Sequence, residues 1–284
     1  MASSLFRPWR VMSFNLRTAA AEDGPWAWQW RRARVAAVIR DYGPDLLGLQ
    51  ECLAGEQADD VRAALPEHEF VGIPRGGPTG ADQEMAPMLL RRTRFRIAET
   101  GHFWLGETPD TAGSRSWGAD YPRTVSWARL HPIEAPDRSL LFANTHFDYA
   151  GDAPVAEAAQ LRRWVDGQGT EAVIITGDFN LAPDSPGHRL LTQEGPLADC
   201  LRESGETAGS FHDYGREEPP LALDWILASR TLKTLRARVV RDPPGTPHAS
   251  DHFAVVAELA WADTATESRA GEAGVAPNAR TSPV

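Results

Sequence analysis

The sequence predicts an α+β fold, a layered sandwich in which β-sheets pack on each other and helices lie outside. Three observations carry that expectation. Many short apolar runs are separated by turn residues, few helical periodicities lie between them, and no repeat of fixed period recurs. Strict βαβ alternation is therefore not expected.

Eight runs read as buried strands: residues 11–16, 46–50, 88–91, 125–130, 140–145, 173–176, 225–228 and 253–259. A helix is expected from near Trp28, where Val35, Val38, Ile39 and Tyr42 follow the i, i+3, i+4, i+7 spacing of one apolar face. A second begins at Asp152 as a cap, with Pro154 in its first turn and Ala158, Leu161, Trp164 and Val165 on one face. Ser185-Pro186 starts a short third helix. One folded domain is expected over residues 9–261. The remainder, 262–284, lacks bulky apolar residues to offset ordering entropy and reads as disordered.

The 284 residues are 42% hydrophobic and 24% charged, enough for a sizeable core without metal or disulfide staples. Cys52 and Cys200 make no disulfide framework. No stretch approaches the ~20 apolar residues needed to span a bilayer, and the N-terminus carries no apolar run of signal-peptide length. A cytoplasmic protein with no membrane partner is expected. The net charge of −10 argues against a large basic surface for duplex DNA. Arg31-Arg32-Ala33-Arg34 reads as a solvated helix face and Arg91-Arg92-Thr93-Arg94 as a strand end. Arg75-Gly76-Gly77-Pro78-Thr79-Gly80 is a loop, without the lysine and helix start of a phosphate-binding loop.

The chemically informative feature is a recurrence. One strand after another begins or ends in a polar, usually acidic, residue: Asn15, Gln50-Glu51, Thr145-His146-Phe147-Asp148, Gly177-Asp178-Phe179-Asn180, Asp224 and Ser250-Asp251-His252. Strand ends along one edge of a sheet are close in space, and loops on such a scaffold are where sites form. Carboxylate and amide oxygens suit a hard cation, and the set contains no cysteine. A hard cation, an oriented water and cationic donors are what phosphoester hydrolysis requires.

Phe14-Asn15, Leu49-Gln50-Glu51, Thr145-His146, Gly177-Asp178-Phe179-Asn180, Asp224-Trp225-Ile226 and Ser250-Asp251-His252 resemble, in order, the motifs of the endonuclease/exonuclease/phosphatase superfamily. Residues 103–109 and 121–127 are similar to a bacterial branch of unassigned substrate. The resemblance implies a four-layer α/β/β/α sandwich of two packed mixed β-sheets flanked by helices, and a phosphoester hydrolase using Mg2+ (or Mn2+). It further implies that Glu51, with Asn15 beside it and Asp251 nearby, holds the metal. Asp178 orients or deprotonates the attacking water, and Asn180 holds the phosphoryl group. His252 contacts the phosphoryl oxygens as base or charge stabiliser. His146 supplies a second phosphate contact and pairs with Asp224. An amide at 180 donates where a carboxylate repels, and Asp178 and Asn180, two apart on an extended segment, point to one side.

Arg123 is a candidate bidentate clamp for a substrate phosphate, with a surface salt bridge equally open. Asp148 and Asp152, which follow His146, read as cap or loop residues, with an extension of the metal site as the alternative. Trp26, Trp28 and Trp30 read as core or rim packing, His212 as a loop histidine and His248 as solvent-exposed. The leading function is a phosphodiesterase or nuclease-like hydrolase acting on a small-molecule or nucleic-acid phosphoester. The alternatives are a phosphomonoesterase of a sugar, nucleotide or inositol phosphate, and a non-catalytic binding protein on the same scaffold. No Gly-x-Ser-x-Gly elbow supports a serine hydrolase.

Overall fold

A computed structural model describes residues 7–262; all but the first residue of the expected disordered tail lie outside them. Among the described residues fourteen strands alternate irregularly with five α-helices. The strands are β1 (Trp9–Asn15), β2 (Leu46–Gln50), β3 (Cys52–Leu53), β4 (His68–Val71), β5 (Glu84–Met85), β6 (Met88–Arg91) and β7 (Phe95–Trp104). They continue with β8 (Thr124–Pro132), β9 (Leu140–His146), β10 (Ala172–Asp178), β11 (Leu197–Asp199), β12 (Asp224–Ser229), β13 (Leu232–Val240) and β14 (Ala254–Trp261). The helices are α1 (Trp28–Tyr42), α2 (Glu56–Ala64), α3 (Ala153–Asp166), α4 (Pro186–Thr192) and α5 (Cys200–Glu203).

Two six-stranded sheets form, in the orders β13-β14-β1-β2-β6-β4 and β11-β12-β10-β9-β8-β7. Each is mixed. The pairs β1/β2 and β9/β10 run parallel, and the remaining ladders are antiparallel. The central strands β2 and β10 are buried along their whole length, which is why their sequences are apolar runs rather than alternations.

Three apolar clusters fill the spaces between layers. Trp9, Val11, Leu130, Phe142, Ile174 and Ile226 belong to the one between the sheets. Met12, Phe14, Leu47 and Leu49 face outward from the first sheet onto Val35 and Ile39 of α1 and Val61 of α2. Leu141, Val173, Ile175 and Trp225 face outward from the second onto Ala158, Leu161 and Val165 of α3 and Leu191 of α4. Each fully buried Val, Leu or Ile contributes about 1.5–3 kcal/mol. The result is the expected four-layer α/β/β/α sandwich.

Local expectations hold with instructive exceptions. The α1 helix stops at Gly43, whose φ of 63° lets its N–H return to the Ile39 carbonyl. Ser185 caps α4 by accepting from the His188 N–H, whereas Asp152 occupies the cap position of α3 without a side-chain cap bond. Arg31 is not on a solvated face. It is fully buried and donates to the carbonyls of Leu16, Arg17, Trp26 and Ala249, so it fastens the loop after β1. Arg94 is likewise buried, beside Asp45 and Glu134. Trp28 packs in the core and donates to Asp60, whereas Trp30 is exposed. Cys52 and Cys200 are free and buried. Among the described residues no helix is long and apolar enough to cross a membrane.

Candidate active site

The topology brings the polar strand ends to one edge of the sandwich. The parallel pairs β1/β2 and β9/β10 deliver Asn15, Glu51, His146 and Asp178 at their C-terminal ends. The antiparallel strands β12 and β14 start at that same edge, so Asp224 and the preceding Asp251-His252 arrive there too. Asp178 pairs directly with Asp224 in the ladder. The first sheet thus contributes Asn15, Glu51, Asp251 and His252, and the second His146, Asp178, Asn180 and Asp224.

Asn15 Nδ2 bridges the two halves, donating to Glu51 Oε1 at 3.1 Å and to Asp178 Oδ2 at 3.0 Å. Its Oδ1 accepts from the Arg17 N–H. Asp178 Oδ2 also lies 3.6 Å from His146 Nε2 and 3.7 Å from His252 Nε2, while its Oδ1 accepts from the Asn180 N–H. His252 Nδ1 is 2.7 Å from Asp224 Oδ2, which also accepts from Ser210 Oγ at 2.6 Å. The partner of Asp224 is therefore His252 and not His146. His146 instead faces Asn180, whose Nδ2 lies 3.2 Å from His146 Nε2 and donates to the Phe147 carbonyl. Nor is Asn180 on an extended segment. Its φ of 49° turns the chain back directly after β10 and aims the amide at His146.

Electrostatics divides the titratable groups. Burial disfavours the His252 cation, but Asp224, Asp178 and Asp251 more than offset this and raise its pKa to about 10. Asp178 is raised to about 7, first by burial and then by Asp224. Burial, then the charges of Arg123, Arg75 and His252, hold His146 well below its usual value, so it is neutral and can accept from Asn180. Glu51 is half-buried; burial alone would raise its pKa, yet the Asn15 amide, His252 and the Thr18 N–H keep it ionised, with its pKa lowered.

Glu51 and Asp251 line the same cleft, and each bears on the other's charge. Offered by one buried and one half-buried carboxylate, this all-oxygen set fits a hard divalent cation. Asp178, Asp224 and His252 also bring ligand atoms within 4.8 Å of one another. There, however, the imidazole is protonated and committed to Asp224, which leaves a poor metal ligand.

The cleft has a volume of about 340 Å³. Arg123 lies in its wall, buried, with Nε 3.3 Å from Asp148 Oδ2 and Nη1 without a hydrogen-bond partner. Asp148 is a loop organiser: it accepts from the N–H groups of Asp120, Tyr121, Tyr149 and Ala150, which settles its sequence reading.

The cleft has a second set of residues, Arg17, Arg75, Glu84, Tyr121 and Tyr149. The sequence pointed to the loops around 75–84 and 107–121 as the place of substrate choice but singled out none of the five as a site residue, and carried no sign of Arg17 or Tyr149. Arg75 pairs with Asp82 at 2.7 Å and Glu84 at 3.0 Å, and its guanidinium lies 4.4 Å from the Tyr121 ring centre. Burial pushes Glu84 up to about 7. A tyrosine and an arginine directly before the Thr124 strand were the available signal for this wall. Arg17 is held by Asp23 at 3.0 Å and lies 3.7 Å from Asp251.

Comparison with known proteins bears on the family and the fold. The model of the endonuclease/exonuclease/phosphatase family matches residues 12–252. An endonuclease/exonuclease/phosphatase protein from Bacteroides vulgatus superposes with a TM-score of 0.83 at 28% identity, covering 90% of this chain and 100% of its own. A mannosyl-6-phosphatase from Bacteroides thetaiotaomicron gives 0.79 at 29% identity, covering 89% and 100%. The human nocturnin catalytic domain gives 0.68 at 19% identity, over 90% and 94%, a likeness of fold alone. Comparison with curated proteins gives no match. The chain belongs to the endonuclease/exonuclease/phosphatase family, whose members hydrolyse phosphoesters.

Proposed function

We propose that the protein is a divalent-metal-dependent phosphomonoesterase acting on a small, hydroxyl-bearing phosphate ester. The observation that carries this reading is the cationic wall of the cleft that Asp178 and His252 also line. There Arg75 and Arg123 flank Tyr121 in one cleft, and the buried Arg123 Nη1 has no partner within the protein. A terminal phosphate dianion matches two guanidiniums better than a diester monoanion does. The likeness to a mannosyl-6-phosphatase supports a polyol-bearing substrate, and Glu84 beside Tyr121 offers acceptors for its hydroxyls.

In this reading Glu51 and Asp251 hold the cation, with Asn15 orienting Glu51 toward it. The bound ion, Mg2+ or Mn2+, would neutralise charge on the phosphoryl and leaving oxygens. Asp178 takes a proton from the attacking water as the water oxygen bonds to phosphorus and the bond from phosphorus to the ester oxygen breaks. Its raised pKa makes it a competent acceptor near neutral pH. The His252 imidazolium, fixed by Asp224, donates to phosphoryl oxygens as their charge builds. Neutral His146, set by Asn180, contributes a second contact.

A phosphodiesterase is the second reading. Trp26 stacks on Tyr214 at 4.7 Å, and Tyr214 reaches Asp23, the partner of Arg17 at the cleft. That aromatic face can take a nucleobase. Steady-state assay of purified protein on sugar phosphates, nucleotides and chromogenic diesters, with Mg2+ and with chelator, tests both. The expected result is metal-dependent release of inorganic phosphate, with kcat/KM for the best monoester at least about tenfold above any diester. Diester preference refutes the monoester reading, and full activity in chelator refutes the metal role.

A further inference from the structure

The geometry points to a second cation site outside the catalytic cleft, formed by His212, His248 and Asp242 and suited to a borderline transition metal such as zinc. One ligand atom from each of the three lies within 4.8 Å of the others. Small side-chain rotations close such a triad to the edges of a tetrahedron with roughly 2.0–2.2 Å metal–ligand bonds.

His212 is the observation that demands an occupant. It is 2% exposed, and neither ring nitrogen makes a well-formed hydrogen bond, the His252 backbone giving it only a weak contact. Buried polar side chains in folded proteins are almost always satisfied, so an under-satisfied imidazole facing another imidazole and a carboxylate needs an explanation. Burial also favours its neutral form, which is the ligand form. The ring is held in place, stacked on Phe253 at 4.0 Å and facing His248 at 4.4 Å. Asp242 Oδ2 lies 3.0 Å from His248 Nδ1. His248 and Asp242 retain solvent access, 29% and 11% for the side chains, which leaves an entry path and room for a water as fourth ligand.

The donor chemistry separates the two sites. Two imidazoles and one carboxylate favour zinc, whereas the oxygens of Glu51 and Asp251 favour magnesium or manganese. The backbone N–H groups of His212 and Asp213 both donate to the Asp251 carbonyl, at 2.9 and 3.1 Å. A cation held by His212 and His248 would therefore tie the turn at residues 212–215 to the segment that carries Asp251 and His252. It would do so without touching a reacting group, and the site does not depend on the activity proposed above.

The test is titration of the full chain with zinc alone, in competition with a chromophoric chelator, in four proteins: parent, His248→Ala, Asp242→Asn and Glu51→Gln. Cobalt, as a spectroscopic substitute, reports the tetrahedral geometry. Zinc affinity is expected to fall at least 100-fold in His248→Ala and in Asp242→Asn, and to persist in Glu51→Gln. The visible cobalt band and a zinc-dependent rise in Tm should follow the same pattern. His248 is partly exposed, so its alanine variant should fold, which circular dichroism checks. Equal zinc affinity in parent and His248→Ala overturns the proposal, as does loss of zinc binding in Glu51→Gln alone.

Discussion

Replacing Asp224 with asparagine keeps the side chain's shape and removes its charge, which isolates what that carboxylate does for His252. The two groups meet at 2.7 Å, fully buried. The imidazole pKa is raised from 6.5 to about 10, and Asp224 acts on it both as a charge and as a hydrogen-bond acceptor. A rise of that size amounts to roughly 5 kcal/mol in favour of the cation. Losing one close opposite charge lowers a pKa by about 1–3 units. Asp224 also raises Asp178, whose pKa of about 7 should fall when that repulsion goes. Both limbs of the pH profile of kcat/KM should therefore move the same way, to lower pH. The asparagine amide can present either end to Nδ1, so the orientation of the ring suffers as well, and plateau kcat/KM should drop about 10²–10⁴-fold. Rates from pH 5 to 10, with metal saturating and folding checked by circular dichroism, supply the measurement. A profile with unmoved limbs and a rate within threefold of parent refutes the reasoning.

Three further outcomes follow from buried groups. Arg123→Lys loses the fork that serves Asp148 and the cleft at once, so KM for a monoester should rise about 10–100-fold with a smaller change in kcat, read by steady-state kinetics. Burial raises Glu157 from 4.5 to about 8, so the folded state keeps a proton that the unfolded state sheds. The contribution of Glu157 to stability is thus full below pH 4.5, declines as pH rises and levels off above 8. Glu157→Gln should match parent in denaturant melts at pH 4.5 and exceed it at pH 8.5, by at most about 5 kcal/mol. Equal curves at both values disprove that burial cost. Gly48→Ala should lower stability by about 3 kcal/mol or more, because its Cβ would lie 2.0 Å from Thr176 Oγ1 and 2.3 Å from Asn144 Oδ1. Differential scanning calorimetry reads this as a drop in Tm on the order of 10 °C.

How much of the fold was legible follows a physical boundary. The eight apolar runs correspond to β1, β2, β6, β8, β9, β10, β12 and β14, and the runs 46–50 and 88–91 agree with β2 and β6 residue for residue. The strands of the two large sheets that escaped, β4, β7, β11 and β13, are the four edge strands. An edge strand faces water along one side and on part of its surface, so it carries residues such as Arg96, Glu99, Lys233 and Arg236 that read as loop. Both long edge strands also contain a register shift, at 97/99 and 234/236, which breaks the period of two. Site residues at the ends of central strands were legible for the converse reason. A charged group that closes an apolar run stands out, as Asp178 does after Ala172–Thr176. Pairings were not legible. Whether Asp224 meets His146 or His252 depends on how the sheets face each other, and no spacing within the chain encodes that. Arg31 was misread because its partners are main-chain carbonyls, which have no sequence signature.

The division of the site between two sheets explains a feature that stability alone does not. Apolar packing between layers is non-directional and tolerates sliding, yet catalytic groups must be held to about 0.5 Å. Below the site the core is polar. Gln50 Nε2 donates to Asn144 Oδ1 at 2.8 Å and to Ser13 Oγ at 3.2 Å, and Thr176 Oγ1 donates to Asn144 Oδ1 at 2.9 Å. Asn144 Nδ2 completes the set by donating to the carbonyls of Leu49 and Pro87. Ser13, Gln50, Leu49 and Pro87 belong to the first sheet or its loops, and Asn144 and Thr176 to the second, so these bonds fix register as hydrophobic contact cannot. Gly48 is the place where the Asn144 amide and the Thr176 hydroxyl reach across, and any side chain there would occupy their space. One turn above, Asn15 to Asp178 and His252 to Asp224 repeat the same cross-sheet logic in charged form. The active site is thus the topmost rung of a hydrogen-bonded column, and its geometry is set by the rungs beneath as much as by the residues that meet the substrate.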